Sequence, residues 1–135
     1  MSYLPEHATH AAALWSGLMI LWMMVLAILV ISRRRKHKVL FGDGGNAEMT
    51  TATRAFGNAS EYSAPAIGAL ILLALLGIPA IWINGIGATL FVGRVIHAWG
   101  LLFLKGPSVG RLLGMVLTFA ALIMAASMLI VHSLI

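Results

Sequence analysis

The sequence predicts an all-α protein, a four-helix transmembrane bundle, and three observations carry that prediction. Hydrophobic residues fill 61% of the 135 positions and charged residues only 10%, more apolar surface than a soluble domain of this size can bury. The apolar residues gather into runs of about 20 or more, the length that crosses a hydrocarbon core. The breaks between runs are short and marked by basic residues, glycine or proline. One integral membrane domain over residues 1–135 is expected, with spans at about 11–32, 58–77, 80–104 and 110–134.

Composition also excludes function classes. There is no cysteine, so disulfides, thiolate metal sites and a cysteine nucleophile are out, and any thiol must come with a ligand. The net charge of +5 comes from bases set beside apolar runs, which fits orientation in a bilayer and not nucleic-acid binding. A cleaved signal peptide is not expected, because the first apolar run follows no basic residue and ends in a basic cluster.

Met1 to His10 reads as a polar lead-in; His7 and His10 alone are a weak metal signal, and no metal site is expected. Ala11 to Ile31 carries no charge and forms the first span. Ser32 and the run Arg33-Arg34-Arg35-Lys36-His37-Lys38 follow, a stop-transfer and positive-inside anchor. One arginine of that run, Arg34 or Arg35, is a candidate to reach an anionic ligand from the inward face.

Gly42-Asp43-Gly44-Gly45 signals a turn and lacks the Lys-Ser/Thr of a phosphate-cradling loop. Asn46 is a suitable N-cap, with Glu48 in the first turn matching the helix dipole. The helix expected from there runs to about Leu76, its first two turns in the cytosol, with a kink at Pro65. Arg54, Asn58 and Glu61 fall at i, i+4 and i+7 of this helix, on one face about 10 Å long.

Gly77-Ile78-Pro79 separates the second span from the third, where Asn84, Gly85 and Gly87 permit close helix approach. Arg94 and His97 intrude on one face of that apolar run, and Gly93 leaves room for the guanidinium. Lys105-Gly106-Pro107-Ser108 forms the next loop, and Arg111 opens the fourth span, which contains Ser127 and an interfacial His132. All loop-located lysines and arginines then lie on one side, which the positive-inside rule makes cytoplasmic, with both termini opposite. Arg54, Asn58, Glu61, Arg94, His97 and Arg111 converge on that leaflet.

Ionisable groups inside membrane segments are costly and by default mark a functional site. Three arginines with one carboxylate and one amide suit a small zwitterion with excess negative charge, its carboxylates on arginine forks and its amine on Glu61. Glutathione has these groups and a thiol whose pKa a nearby cation lowers. Two structural alternatives stand beside this reading: Arg54 and Glu61 pairing with each other or with a neighbouring helix to hold the bundle, or Arg94 neutralising Glu61.

The pattern Arg54-x-x-x-Asn58-x-x-Glu61-Tyr62 resembles the second-helix signature of the membrane-associated proteins in eicosanoid and glutathione metabolism. Gly93-Arg94-Val95-Ile96-His97 is similar to that family's third-helix motif, and Phe41 to Gly45 with Gly57 to Tyr62 look most like its small bacterial members. Two positions depart from the pattern: Leu101 stands where several members have tyrosine, and Gly57 where the prostaglandin synthase has arginine. The resemblance implies a homotrimer in the bacterial inner membrane with glutathione between subunits, conjugated to a lipophilic small-molecule substrate or used to reduce lipid hydroperoxides. It implies Arg54, Asn58, Glu61 and Tyr62 as ligands from one subunit, Arg94 and His97 from the neighbour, and Arg111 as the thiolate-stabilising catalytic residue. Two other function classes remain open. One is a non-catalytic membrane-lipid-binding or accessory scaffold. The other is a small multidrug-type transporter, which would be expected to keep an acidic residue deep in its first span, where Ala11 to Ile31 has none.

Overall fold

A computed structural model describes residues 6–104 and 106–134, with the side chain of Glu6 left aside. It contains four helices: α1 (Glu6–His37), α2 (Ala47–Leu75), α3 (Ala80–Phe103) and α4 (Val109–Ser133). The connections are a few residues long, which makes successive helices antiparallel neighbours. Every pair of helices packs together except α1 and α4, so α2 and α3 form the inner diagonal of the bundle. Lys105, placed by the sequence in the third connection, lies outside the described residues.

Each boundary has a local cause. α1 begins earlier than the polar lead-in suggests, because Ala8 and Ala11 are buried in the core and extend its packed face to Ala8. It ends where Lys38 adopts φ 56°, and Gly42, Gly44 and Gly45 follow with positive φ, which glycine takes without strain. Asn46 caps α2, its Oδ1 accepting from Met49 N at 3.2 Å. α2 is continuous through Pro65 and ends at its C-cap Leu76, with Gly77, φ 78°, just beyond. Ser108 caps α4 by accepting from Arg111 N at 3.3 Å.

Two apolar clusters fill the bundle. The larger joins α1 residues such as Met19 to Leu70, Leu73, Ile83, Leu90, Ala121 and Ala125. The smaller, toward the α1–α2 connection, sets Leu26 against Ala55, Ala59 and Ala98. Between lipid-facing helices there is little hydrophobic drive, so close van der Waals packing at small residues holds them together. Gly93 and Gly114 show this: a Cβ on Gly93 would stand 3.0 Å from Gly114 O, and one on Gly114 would stand 2.6 Å from His97 N. Gly87 likewise sits directly against the Trp15 ring, which donates from Nε1 to Asn84 Oδ1 at 2.9 Å.

Large side chains such as Leu14, Leu21, Ile28, Ile123 and Ile130 cover the outside, an apolar surface suited to acyl chains and not to water. α1, α3 and α4 are long and apolar enough to cross a membrane. α2 is not among those three, because its first half carries Arg54, Asn58 and Glu61.

Candidate functional site

The polar residues of α2 and α3 gather at the level of the smaller apolar cluster, alternating along each helix with its Ala55, Ala59 and Ala98. At their centre Arg94 is buried, 1% exposed, and its donors are spent on two other helices, α2 and α4. Nε donates to Thr118 Oγ1 at 2.8 Å, Nη1 to Asn58 Oδ1 at 2.7 Å, and Nη2 to Gly114 O and Met115 Sδ, both at 3.3 Å. Thr118 in turn donates to Gly114 O at 2.7 Å. The guanidinium also lies 5.0 Å from the Tyr62 ring centroid, a cation–π contact, and Tyr62 meets Phe119 edge-on at 5.8 Å. Gly93 contributes by bringing α4 close, so that Gly114 and Thr118 come within reach of the side chain beside it.

This network fixes Asn58. A guanidinium has donors and no acceptor, so the amide oxygen must face Arg94 and the NH₂ must turn away. Asn58 also lines a cavity of about 280 Å³. Thr53, Arg54, Gly57, Asn58 and Glu61 of α2 form one wall, His97 and Leu101 of α3 another, and Arg111 of α4 closes it. Arg54 and Glu61 are exposed, His97 is buried and Arg111 is half-buried. Arg111 Nη1 donates to Gly106 O at 3.2 Å. Among the described residues, the ion pairs join Glu48 to Lys36 and His37 and none involves Arg54, Glu61, Arg94 or Arg111. Both structural alternatives therefore lack their pairing within one chain.

The structure thus brings together Arg54, Asn58, Glu61, His97 and Arg111 around one space. Arg94 and Tyr62 stand behind Asn58 and outside the cavity wall. Arg34 lies elsewhere: its Nη1 donates to Leu40 O at 3.2 Å and Gly42 O at 3.1 Å, closing the α1–α2 connection. Sequence reasoning missed Thr53, one turn before Gly57 on the cavity face, and Thr118, the hydroxyl that receives Arg94. Thr118 had a signal, as the one hydroxyl residue between Leu112 and Ala126. Gly57 and Leu101, the two departures from the family pattern, both lie on the cavity wall. Among the described residues, no group of three or more histidine, aspartate and glutamate side chains is placed to hold a metal ion.

The chain's residues 12–131, nearly its whole length, match the description "MAPEG family". The chain belongs to the MAPEG family. It is similar to the Inner membrane protein YecN of Escherichia coli (strain K12), 33% identical over 89 residues that make up 66% of this chain and 68% of the relative. YecN of Escherichia coli O6:H1 (strain CFT073) is similar to the same extent. No solved structure matches. As a MAPEG protein with three helices of spanning length and composition, the chain is a multi-pass integral membrane protein.

Proposed function

We propose that this MAPEG protein, one of the small bacterial kind, is a glutathione-dependent transferase or peroxidase of the bacterial inner membrane. It acts on lipophilic electrophiles or lipid hydroperoxides as a homotrimer with both termini on the non-cytoplasmic side. The observation that carries this reading is a cavity with two guanidinium groups and one carboxylate that do not pair with each other. The donor set fits glutathione: Arg54 for a carboxylate, Glu61 for the ammonium, and the freed NH₂ of Asn58 for a peptide carbonyl. Arg111 beside the sulfur favours the thiolate, which supplies the nucleophile that this cysteine-free chain lacks. Arg94 and Tyr62 act through Asn58 as positioning residues, and His97 supplies a wall. At about 280 Å³ the cavity is at the small end for small-molecule sites, roughly 300–1,000 Å³, which leaves a share of the binding to an adjacent copy. Arg34, engaged with loop carbonyls, is left out of the set contributed by its own chain.

A non-catalytic lipid-binding scaffold is the second reading, favoured by one observation: Arg94 is fully engaged inside the protein. Calorimetry of purified protein with millimolar glutathione separates the two. Binding is expected, with Glu61→Ala weakening it about tenfold, the worth of a charge-assisted hydrogen bond. Arg111→Ala should lower turnover of a chromogenic electrophile more than it lowers glutathione affinity. No heat of binding would leave the scaffold reading in its place.

A further inference from the structure

A second, larger cavity of about 790 Å³ opens between the end of α1, the start of α2 and the α3–α4 connection. Its size falls within the range of small-molecule sites, roughly 300–1,000 Å³. One wall is apolar, built from Leu29, Leu101, Leu102 and Leu104, while Arg33, Lys36 and Arg111 stand on the rim with Glu48. The basic residues at the end of α1 and just after it do not share one role. Arg34 closes the connection, and Arg35 and Lys38 are exposed and lie outside this cavity. Arg33 is half-buried, its Nη1 donating to Glu48 O at 2.7 Å and Thr51 Oγ1 at 3.2 Å. Those bonds hold it on the rim and engage only one of its nitrogens.

Three cations against one carboxylate leave an excess of positive charge beside a leucine wall. A soluble anion has no use for that wall, and a neutral lipid has no use for the cations. The cavity also lies where α1 passes from its apolar run into its basic cluster, the depth at which juxtamembrane bases meet anionic headgroups. We propose that it holds an anionic phospholipid of the basic-side leaflet, the phosphate between Arg33, Lys36 and Arg111 and the acyl chains along the leucines. The site adjoins the first cavity, with Arg111 and Leu101 standing on both walls, and it does not rest on glutathione binding.

The test uses the whole protein in phosphatidylcholine vesicles containing a trace of chain-spin-labelled phosphatidylglycerol or of chain-spin-labelled phosphatidylcholine. Electron paramagnetic resonance then gives the motionally restricted fraction of each. The wild type is expected to prefer phosphatidylglycerol about tenfold or more, and Lys36→Gln and Arg33→Gln should each reduce that about fivefold. Arg35→Gln and Lys38→Gln, which remove the same charge outside the cavity, should change it less than about twofold. Equal losses in all four variants would mean a diffuse basic surface and overturn the site, as would equal restriction of the two lipids by the wild type. If Arg33→Gln does not fold, Lys36→Gln decides alone, and unchanged selectivity there overturns the proposal. Spin-labelled stearate restricted in preference to phosphatidylglycerol would make the occupant a carboxylate amphiphile and overturn the phospholipid assignment.

Discussion

A guanidinium buried in a membrane bundle must find its acceptors nearby or draw water in after it. Arg94 finds them on α2 and α4 at once: Asn58, Thr118 and the Gly114 carbonyl. Lysine carries the same charge on one nitrogen and cannot span acceptors on two other helices. Arg94→Lys is therefore expected to lose at least one buried charged hydrogen bond, about 1.5–3 kcal/mol. The check is the apparent midpoint of helix loss on heating in detergent, compared with wild type at one scan rate. The substitution also frees the Asn58 amide to rotate, so glutathione affinity should fall although residue 94 lines no part of the cavity. An unchanged midpoint would mean that the network does not hold the helices. The polarity of Arg94, Asn58 and Glu61 was legible in the sequence, because each breaks an apolar pattern. The partners of Arg94 were not, since a carbonyl on Gly114 is invisible in a residue code and depends on how closely two glycines let α3 and α4 approach.

Among the elements, α2 carries two duties along one axis. Its second half packs Ala66, Leu70 and Leu73 into the core, and its first half leans on the end of α1. There Asn46 Nδ2 donates to His37 Nδ1 at 3.1 Å, which leaves His37 Nε2 to donate to Glu48 Oε2 at 3.0 Å, beside Lys36 Nζ at 3.0 Å. These bonds, His37 first and Lys36 next, hold the Glu48 carboxyl well below its usual range, down to about 2. A carboxylate depressed in the folded state lends stability that is fully present above its unfolded value, about 4.3 for glutamate. That stability is lost as the pH falls through the folded value. The Glu48 side-chain carbonyl followed by carbon-13 resonance in micelles should titrate near 2 in the wild type. In His37→Ala it should move up toward the ordinary range; an ordinary midpoint in the wild type would deny the α1–α2 clasp. The cap at Asn46 and the turn at Gly42 to Gly45 were readable from residue types. The clasp was not, because its partners come from both sides of that turn.

For the molecule as a whole, both ends of the bundle differ in chemistry. The α1–α2 connection, the polar cavity and the Arg33 rim lie toward the end where the loop bases gather, while the larger apolar cluster fills the rest. The charge asymmetry predicts that the basic end faces the cytoplasm. A chain without cysteine tests this cleanly. In whole cells permeabilised only at the outer membrane, a membrane-impermeant maleimide should label Ser133→Cys and spare Phe41→Cys, whose position is 89% exposed in the first connection. In inside-out vesicles the pattern should reverse, and the opposite result would invert the proposed orientation.

Length, apolar content and the spacing of Arg54, Asn58, Glu61, Arg94, His97 and Arg111 were enough to determine four helices, a membrane setting and a shared polar face. These properties are periodic and additive along a chain, so they survive without coordinates. Only the tertiary structure decided that five of those residues surround one space while Arg94 stands behind Asn58 as its brace. Only it separated Arg33 from its neighbours in the basic run. Both outcomes depend on which helices touch and how closely, and that is set by small side chains facing one another across interfaces, a matter of three-dimensional approach that no spacing along the sequence encodes.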